Sequence, residues 1–181
     1  MRKVVVYELL SLDGVAENPD SYFDAWDDAA DDNLAQVIAT QDAVVLGRAS
    51  YDEWAGYWPT SDIEPFATFI NGVAKHVVTS KPLDRDWPNC SLVQGNVATY
   101  VQVLKHQPGG DIGVHASISV AQTLLTAGVV DELRLVIFPA VSAGGRRLLD
   151  GLPPSRLTLS RSSATPSGLL LADYRVAAPT S

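Results

Sequence analysis

Four short polar segments follow apolar runs in this sequence, and each carries residue types that bind anions or move protons. They are Ser11-Leu12-Asp13-Gly14, Gly47-Arg48-Ala49-Ser50, Ser80-Lys81 and His115-Ala116-Ser117-Ile118. In open α/β sheets, ligands bind beyond the carboxyl ends of the strands. The sequence therefore predicts one ligand site that is built from the ends of several strands.

The segment at 47–50 combines a glycine, an arginine and a serine. Gly47 lets the backbone turn closely, and Ser50 is placed to cap the next helix. The free N–H groups at the start of that helix would face a phosphate. A simple Gly-Arg turn is the alternative interpretation.

Two later segments are also suited to phosphate. Ser80 and Lys81 place a hydroxyl beside an ammonium, which suits a monoester phosphate but is equally typical of a solvated loop. Ala116 and Ser117 open a helix whose N-terminus could hold a pyrophosphate.

Asp13 is the candidate catalytic residue. Its carboxylate would orient a substrate amine or hydroxyl, or relay the proton that accompanies hydride delivery. The alternative is that Asp13-Gly14 is only a turn, because Asp-Gly is a common turn pair. Arg146 and Arg147 are interpreted as surface charges rather than as ligands of an anionic substrate.

Other catalytic templates are missing from the sequence. It contains neither a Gly-x-Ser-x-Gly elbow nor a phosphate-binding P-loop, and its three histidines lack metal-binding spacing. Cys90 is the only cysteine, so an intrachain disulfide is excluded. We therefore expect neither a metal site nor a disulfide framework.

Acidic residues dominate the first quarter of the chain. The net charge is -8, and ten of the 21 acids lie between Val4 and Gly47, where Lys and Arg do not occur. This distribution argues against nucleic acid as a partner. The N-terminus does not resemble a signal peptide, and no apolar run approaches the roughly 20 residues of a membrane span. We therefore expect a cytoplasmic protein that acts on a small molecule.

Short, β-branched apolar runs predict the strands of a largely parallel sheet that is covered on both faces. They lie at 4–10, 42–47, 75–80, 111–117 and 132–141. Segments with helical spacing separate them, at 34–38, 54–58 and 118–125. The pattern predicts a single α/β domain over 1–181, folded as a three-layer α/β/α sandwich.

Cap and turn residues set the expected ends of these elements. Asp31 or Asp32 would cap a helix that runs to about Thr40, and Gly128 would close the helix that begins near residue 117. Segments 157–163 and 168–176 flank a Thr-Pro-Ser turn and predict a C-terminal antiparallel hairpin.

The order and spacing of several motifs resemble the dihydrofolate-reductase-like superfamily. The resemblance is greatest to the reductase C-terminal domain of the bifunctional riboflavin-biosynthesis enzymes and its stand-alone bacterial relatives, over about residues 2 to 177. The motifs are SLDG (11–14), LGRASYDEW (46–54), KHVVTS (75–80), LKHQPGGDIGVHAS (104–117), GVVDELRLVIFPAV (128–141) and GGRRLL (144–149).

This resemblance implies NADPH as hydride donor and a homodimer. By the resemblance, Gly47, Arg48 and Ser50 would lie by the cofactor phosphates, Ser80 and Lys81 by the adenosine 2′-phosphate, and His115, Ala116, Ser117 and Ile118 around the pyrophosphate. Asp13 would lie near the nicotinamide and the substrate. The substrate would resemble a phosphoribosylaminouracil of the riboflavin pathway or a pterin. Its flat pocket would be lined by Trp26, Trp54, Tyr57 and Trp58, or these rings would be core or dimer contacts, with packing preferred for Trp54.

The sequence departs from the family pattern at two points. Ala116 stands where the family usually has glycine, which costs on the order of 1 kcal/mol if that position needs a positive φ. The Pro-Trp pair and the following helix acid of dihydrofolate reductases are also missing here. A nucleotide-binding protein that has lost catalysis, or a flavin-binding relative, is therefore an alternative function.

Overall fold

The computed structural model describes residues 1–177 and contains one continuous eight-stranded sheet. The strands are β1 (Val4–Ser11), β2 (Gln41–Gly47), β3 (Ala74–Val78), β4 (Cys90–Val93), β5 (Asp111–His115), β6 (Glu132–Phe138), β7 (Leu157–Ala164) and β8 (Leu170–Val176). Their order is β4-β3-β2-β5-β1-β6-β8-β7. Neighbours from β4 to β6 are parallel, and β8 pairs antiparallel with β6 and β7. The predicted parallel sheet with a C-terminal hairpin is confirmed.

Five α-helices within the described part cover both faces of the sheet. They are α1 (Asp28–Ile38), α2 (Arg48–Tyr57), α3 (Phe66–Gly72), α4 (Val97–Lys105) and α5 (Ile118–Thr126). One buried apolar cluster lies under α4 and α5, and a second lies under α1, α2 and α3. Successive side chains of β1 point to opposite faces of the sheet, so Val6 belongs to the first cluster and Tyr7 to the second. The predicted α/β/α sandwich is confirmed.

The first helix begins earlier than predicted. Asp27 is its cap, and its Oδ1 accepts the N–H of Ala30 at 3.0 Å. Asp31 therefore lies within the first turn, and the helix ends at Ile38. The run of aspartates offers several equivalent caps, so sequence alone could not fix the start. Gly128, with a φ of 65°, follows α5 as predicted.

Three elements were not predicted: β4, α3 and α4. β4 has only four residues at the sheet edge, and Leu92 within it is exposed. It therefore lacks the continuous apolar pattern of a central strand. α4 begins at a cap residue, Asn96, whose side chain accepts the N–H of Thr99.

The sheet brings the carboxyl ends of β1, β2 and β5 together at one edge. In the register of the sheet, Tyr7 of β1 pairs with His115 of β5, and Val45 of β2 pairs with Val114. The segments that follow β2 and β5 are therefore neighbours. In residues 1–177, no helix combines the length and apolar character needed to cross a bilayer. The last four residues of the predicted domain, 178–181, lie outside the described part.

Candidate active site

A cleft of about 960 Å³ opens at the carboxyl ends of β1, β2 and β5. This volume is at the upper end of the range for small-molecule sites. The lining contains two kinds of residue. The helix-end half comprises Gly47, Arg48, Ala49, Ser50, Ala116, Ser117, Ile118, Ser119 and Arg146, and the aromatic half comprises Tyr7, Phe23, Trp26, Asp31, Trp54, Tyr57, Trp58 and Phe66.

Hydrogen bonds hold the N-termini of α2 and α5 side by side in the helix-end half. The N–H of Gly47 donates to Ser117 Oγ at 3.0 Å, and Ser50 Oγ donates to the carbonyl of Ala116 at 2.7 Å. Neither helix has a side-chain cap, so N–H groups of both first turns stay available to an anion. The prediction that Ser50 caps α2 is wrong, because Ser50 lies inside the first turn.

The two arginines of the cleft differ in their partners. Arg48 donates to both carboxylate oxygens of Asp52, at 2.8 and 2.9 Å, and to Asp84. Arg146 donates to Ser119 Oγ at 2.9 Å, and within residues 1–177 no carboxylate forms an ion pair with it. The Arg146 side chain therefore brings a positive charge to the start of α5, and the Glu17 carboxylate accepts the backbone N–H of Arg146 at 3.2 Å. Arg146 is exposed and also lines the cleft, so its interpretation as a surface charge or as a ligand of an anion stays open.

Ala116 has the left-handed backbone conformation that the family pattern suggested, with a φ of 46°. An L-residue with a Cβ is strained there by on the order of 1 kcal/mol. The strain is offset by the hydrogen bond that the Ala116 carbonyl accepts from Ser50.

Glu8 is a functional candidate that the sequence analysis missed. It lies on β1, is 3% exposed, and accepts the N–H of Ser117 at 3.3 Å. Burial raises the pKa of Glu8 to about 8, against the smaller opposite effect of the Ser117 N–H. The carboxyl is therefore mostly protonated at neutral pH. Its signal in the sequence was a lone charge inside the apolar run VVVYELL.

His115 connects the two halves but is not a cation. It is buried, and its Nε2 lies 2.8 Å from Gln41 Oε1. Burial lowers the pKa of His115 to about 3, so the ring is neutral at neutral pH. Its ring packs against Tyr7 and Phe66, with centroids 5.7 and 5.5 Å away. Any contact with a pyrophosphate would therefore not involve a charged imidazole.

The aromatic half contains two of the three predicted substrate-binding residues, Trp26 and Tyr57, but not Asp13. Phe23 stacks on Trp26 with ring centroids 5.1 Å apart and an interplanar angle of 17°. Trp54, which the sequence suggested would mainly pack, lines the cleft and also stands edge-on to Trp58. These rings form walls suited to a flat ligand.

Asp31 lies in the aromatic half and corrects the expectation that a helix acid is missing. Helix α1 directs it to the cleft, and Trp26 Nε1 donates to its Oδ1 at 2.7 Å. No residue in the described part donates to its Oδ2. The sequence hid this role because it did not show which of the neighbouring aspartates faces the sheet.

Tyr7 adds an unpaired hydroxyl to the same half. Its side chain is on β1 and lines the cleft, and the residue is 5% exposed. Among residues 1–177, no group is within hydrogen-bond distance of the hydroxyl. Burial raises the pKa of Tyr7, and the carboxylates of Asp173 and Asp31 add to this effect. The group is thus a neutral phenol.

The structure places Asp13 outside the cleft lining. Its carboxylate accepts from Ser11 Oγ at 2.7 Å and from the N–H groups of Ser142 and Ala143 at 2.9 and 3.2 Å. The hydroxyl of Ser11 and then the N–H of Ser142 lower the pKa of Asp13. Asp13 therefore joins two loops, and the turn interpretation fits its position better than contact with substrate.

Ser80 and Lys81 are exposed and also lie outside the lining, although Val78 shortly before them belongs to it. The same loop contacts the helix-end half, because Arg48 donates to the carbonyl of Pro82 at 2.8 Å. The contact of Ser80 and Lys81 with a 2′-phosphate stays a prediction.

Arg147 donates to the carbonyl of Asp13 and lies outside the cleft lining, as expected for a surface charge.

Within residues 1–177, no group of three or more His, Cys, Asp or Glu side chains has the arrangement needed to hold a metal ion. The polar groups that line the cleft include carboxyl, hydroxyl and guanidinium side chains and helix N–H groups.

Comparison with known proteins identifies several relatives. The uncharacterized protein YyaP of Bacillus subtilis is 27% identical over 150 residues, covering 81% of this chain and 80% of YyaP. A solved protein of Shewanella sp. PV-4, whose name links it to riboflavin biosynthesis, has a TM-score of 0.79 at 17% identity, covering 97% of this chain and 99% of that one.

The dihydrofolate reductase of Enterococcus faecalis, solved in complex with NADP(H), has a TM-score of 0.62 at 15% identity, covering 96% of this chain and 94% of the reductase. These structures share the fold. Residues 2–171 match the family model described as the RibD C-terminal domain. The chain therefore belongs to the RibD C-terminal domain family.

Proposed function

We propose that this protein is an NADPH-dependent reductase that transfers hydride to a small heterocyclic or sugar-linked substrate. The observation that carries the proposal is the pair of uncapped helix N-termini, at Gly47 and Ser117, that meet on one side of a cleft with aromatic walls. One side suits phosphates, and the other suits flat rings.

The helix-end half fits the phosphates of a dinucleotide. The first-turn N–H groups of α2 and α5 would bind them, and Arg146 would supply a charge-assisted hydrogen bond. Support also comes from the fold, which is shared with an Enterococcus faecalis reductase that was solved with NADP(H). When bound, NADPH supplies a hydride from its nicotinamide ring.

The aromatic half would orient the acceptor and handle its proton. The rings of Trp26 and Phe23 would hold a flat substrate and exclude water. Asp31 is fixed by Trp26 Nε1 and has its second oxygen free, so it is the candidate group to orient the substrate or pass it a proton. Asp31 takes the role that the sequence analysis gave to Asp13.

The first experiment is a titration with NADPH and NADH, monitored by tryptophan fluorescence, followed by a substrate screen with whichever cofactor binds. We expect NADPH to bind more tightly. Lys81→Ala should weaken NADPH more than NADH if Lys81 contacts the 2′-phosphate. An equal loss for both removes Lys81 from that site, and failure of both cofactors to bind the unmodified protein contradicts the proposal.

One observation favours a second candidate, a nucleotide-binding protein without catalytic activity. Ala116 puts a strained Cβ at the point where the backbone would approach a phosphate. Tight NADPH binding with no oxidation across pterin, pyrimidine and carbonyl substrates would favour this candidate.

We also propose a homodimer, on the basis of the family resemblance alone. Sedimentation equilibrium measures the mass in solution directly. A value equal to that of one chain at micromolar concentration would exclude the dimer.

A further inference from the structure

Glu8 is a buried carboxyl that forms part of the wall of the cleft. Its side chain lies on the same face of β1 as Val6 and Leu10, which belong to the apolar cluster under α4 and α5. Within residues 1–177, neither Lys nor Arg forms an ion pair with Glu8. An ionised Glu8 would therefore be a buried charge without compensation, and this environment favours the neutral acid.

The two oxygens of the Glu8 carboxyl differ in their partners. Oε1 accepts the N–H of Ser117 at 3.3 Å, and in the described part of the chain no group bonds to Oε2. A neutral carboxyl carries one O–H donor. Glu8 therefore has a donor, on a side chain that is almost fully buried, for which the protein supplies no acceptor. An oxygen of a ligand in the cleft would complete this hydrogen bond.

Ser117 places this donor at the anion-binding end of the cleft. The Oγ of Ser117 accepts the N–H of Gly47 at 3.0 Å and lies 2.9 Å from Ser50 Oγ. Glu8 is therefore one hydrogen bond away from the point where α2 and α5 begin. An anion at this point would be bound by the first-turn N–H groups of both helices. An ionised Glu8 would repel that anion, whereas a neutral Glu8 would donate to it.

The sheet and helix α5 place no charge against Glu8. Its register partner on β6 is the buried Leu135, and α5 contains no charged residue. His115 of β5 lies on the opposite face of the sheet, where its ring packs against Tyr7. Burial lowers the pKa of His115 to about 3, so this ring does not gain a charge near neutral pH.

The loop that follows β1 adds one phenol and one carboxylate near Glu8. Burial, and then the Glu8 carboxylate, raise the pKa of Tyr22 to about 12, so its hydroxyl stays neutral. Glu17 and Arg146 also line the cleft, and the Glu17 carboxylate accepts the backbone N–H of Arg146. Burial raises the pKa of Glu8 itself to about 8, well apart from those of His115 and Tyr22.

We propose that Glu8 binds the ligand as a neutral acid: its O–H donates to an anionic phosphate oxygen at the start of α5, and the bound anion and an ionised Glu8 exclude each other. The proton stays on the carboxyl throughout. This inference rests on the proposed function, because the anion is then a phosphate of NADPH. It adds that NADPH binds the protonated form of the cleft, and that binding takes up a proton wherever Glu8 is ionised.

The pH dependence of NADPH affinity is the first test, measured by tryptophan fluorescence at pH 7 and pH 9. With a Glu8 pKa of about 8, roughly nine-tenths of the free protein is protonated at pH 7 and roughly one-tenth at pH 9. The Kd for NADPH should therefore rise about tenfold between these pH values. The 2′-phosphate does not interfere, since the second pKa of a phosphate monoester is about 6.

Glu8→Gln separates this role from a structural one. Glutamine keeps the shape and an N–H donor but cannot ionise, so its Kd for NADPH should stay within about twofold between pH 7 and pH 9. Glu132→Gln is the matched control, because Glu132 lies on the neighbouring strand β6, outside the cleft lining, and pairs with Lys3 and Arg134. This control should keep the tenfold rise.

Proton uptake tests the proposal without a substitution. Isothermal titration calorimetry of NADPH binding at pH 8, in two buffers with different ionisation enthalpies, measures the number of protons taken up. About half of the free protein carries the Glu8 proton at this pH. We therefore expect an uptake of about half a proton for each NADPH bound.

Three results would overturn the role of Glu8. They are an unchanged Kd between pH 7 and pH 9, no proton uptake at pH 8, and an equal rise of the Kd in Glu8→Gln and the unmodified protein. Failure of NADPH to bind at pH 7 would contradict the proposed reductase function instead.

Sulfate then replaces NADPH as the probe, because its charge is constant over this pH range. Its binding, followed through the backbone amide signals of 116–119, should weaken between pH 7 and pH 9. Sulfate that does not bind, or that binds equally at both pH values, would overturn the proposal.

Discussion

The two halves of the cleft are built in different ways. The helix-end half is made mainly from two contiguous segments, 47–50 and 116–119, and uses backbone N–H groups and small side chains. The aromatic half draws on β1, the segment around Trp26, and the helices α1, α2 and α3. A phosphate site can thus be encoded locally by a turn and a helix start, whereas the aromatic pocket needs long-range packing.

Their polar groups differ in the same way. In the helix-end half, Ser50, Ser117 and Gly47 bond one another. In the aromatic half, Tyr7 and one oxygen of Asp31 have no partner within residues 1–177. The polar side chains of the helix-end half are therefore held in place before a ligand binds. Those of the aromatic half keep free hydrogen-bonding groups for a substrate.

The largest effect is expected at Glu8, between the two halves. Its folded pKa of about 8 lies above the ordinary value of 4.5, so the folded protein holds a proton that the unfolded chain releases between these values. The Glu8 contribution to stability therefore falls as the pH rises through this window, by on the order of a few kcal/mol, whereas His115, with its pKa lowered to about 3, contributes in the opposite direction. Glu8→Gln should remove this loss, and thermal unfolding at pH 5 and pH 8 measures it.

The control for Glu8 is Glu53→Gln, which changes an exposed glutamate of the same cleft. It should keep the pH dependence of the unmodified protein. If Glu8→Gln keeps it too, Glu8 is not the titrating group.

The next largest effect concerns catalysis in the aromatic half. Asp31→Asn should lower kcat at least about a hundredfold with the substrate found by the screen, because it removes the candidate proton-handling group. NADPH affinity should not change, since the cofactor phosphates would lie in the other half. Asp32→Asn is the matched control, because Asp32 is exposed and outside the lining. Equal rates in both variants would remove Asp31 from catalysis.

A smaller effect is expected in the helix-end half. Arg146→Ala should raise the Kd for NADPH about tenfold, through loss of a charge-assisted hydrogen bond. Arg147→Ala changes the neighbouring arginine, which binds the Asp13 carbonyl outside the cleft. It should leave the Kd within about twofold. Isothermal titration calorimetry measures the Kd of both variants. An equal loss of NADPH affinity in both would show that Arg146 does not bind the cofactor.

The smallest effect is expected at Ala116. Ala116→Gly should stabilise the fold by up to about 1 kcal/mol, because glycine adopts a φ of 46° without strain. Ala127→Gly, at a position with a φ of −79°, should destabilise it. Urea unfolding of both variants measures the difference. A loss of stability in Ala116→Gly would mean that the strain at this position is negligible.

The sequence was sufficient for the sheet and for most of the helix-end half. The apolar runs marked the central strands, and the residues after β2 and β5 line one cleft because parallel strands end at one edge, while their contact with a cofactor stays a prediction. The sequence did not predict the partner of Ser50, whose hydroxyl donates to the carbonyl of Ala116 instead of capping its own helix. That bond depends on how α2 and α5 meet, which no local pattern contains.

The residues that the sequence analysis missed depend on register and burial. Asp31 reaches the cleft because it lies on the same side of α1 as Leu34 and Ile38, which pack onto the sheet. Glu8 becomes a functional candidate only once β1 is known to be buried on both faces. For Asp13 the sequence analysis predicted too much. It gave a catalytic role to a common turn residue, and the contacts of Asp13 with Ser142 and Ala143 do not support that role.

The most direct test of the division of the cleft into two halves is an NADPH titration that is monitored by ¹H–¹⁵N correlation spectra of the full chain. We predict that the largest changes in backbone amide shift occur at 47–50 and 116–119, where the helix N–H groups would meet the phosphates. Saturating NADPH that leaves these signals unchanged, or that shifts only residues outside the cleft, would contradict the account.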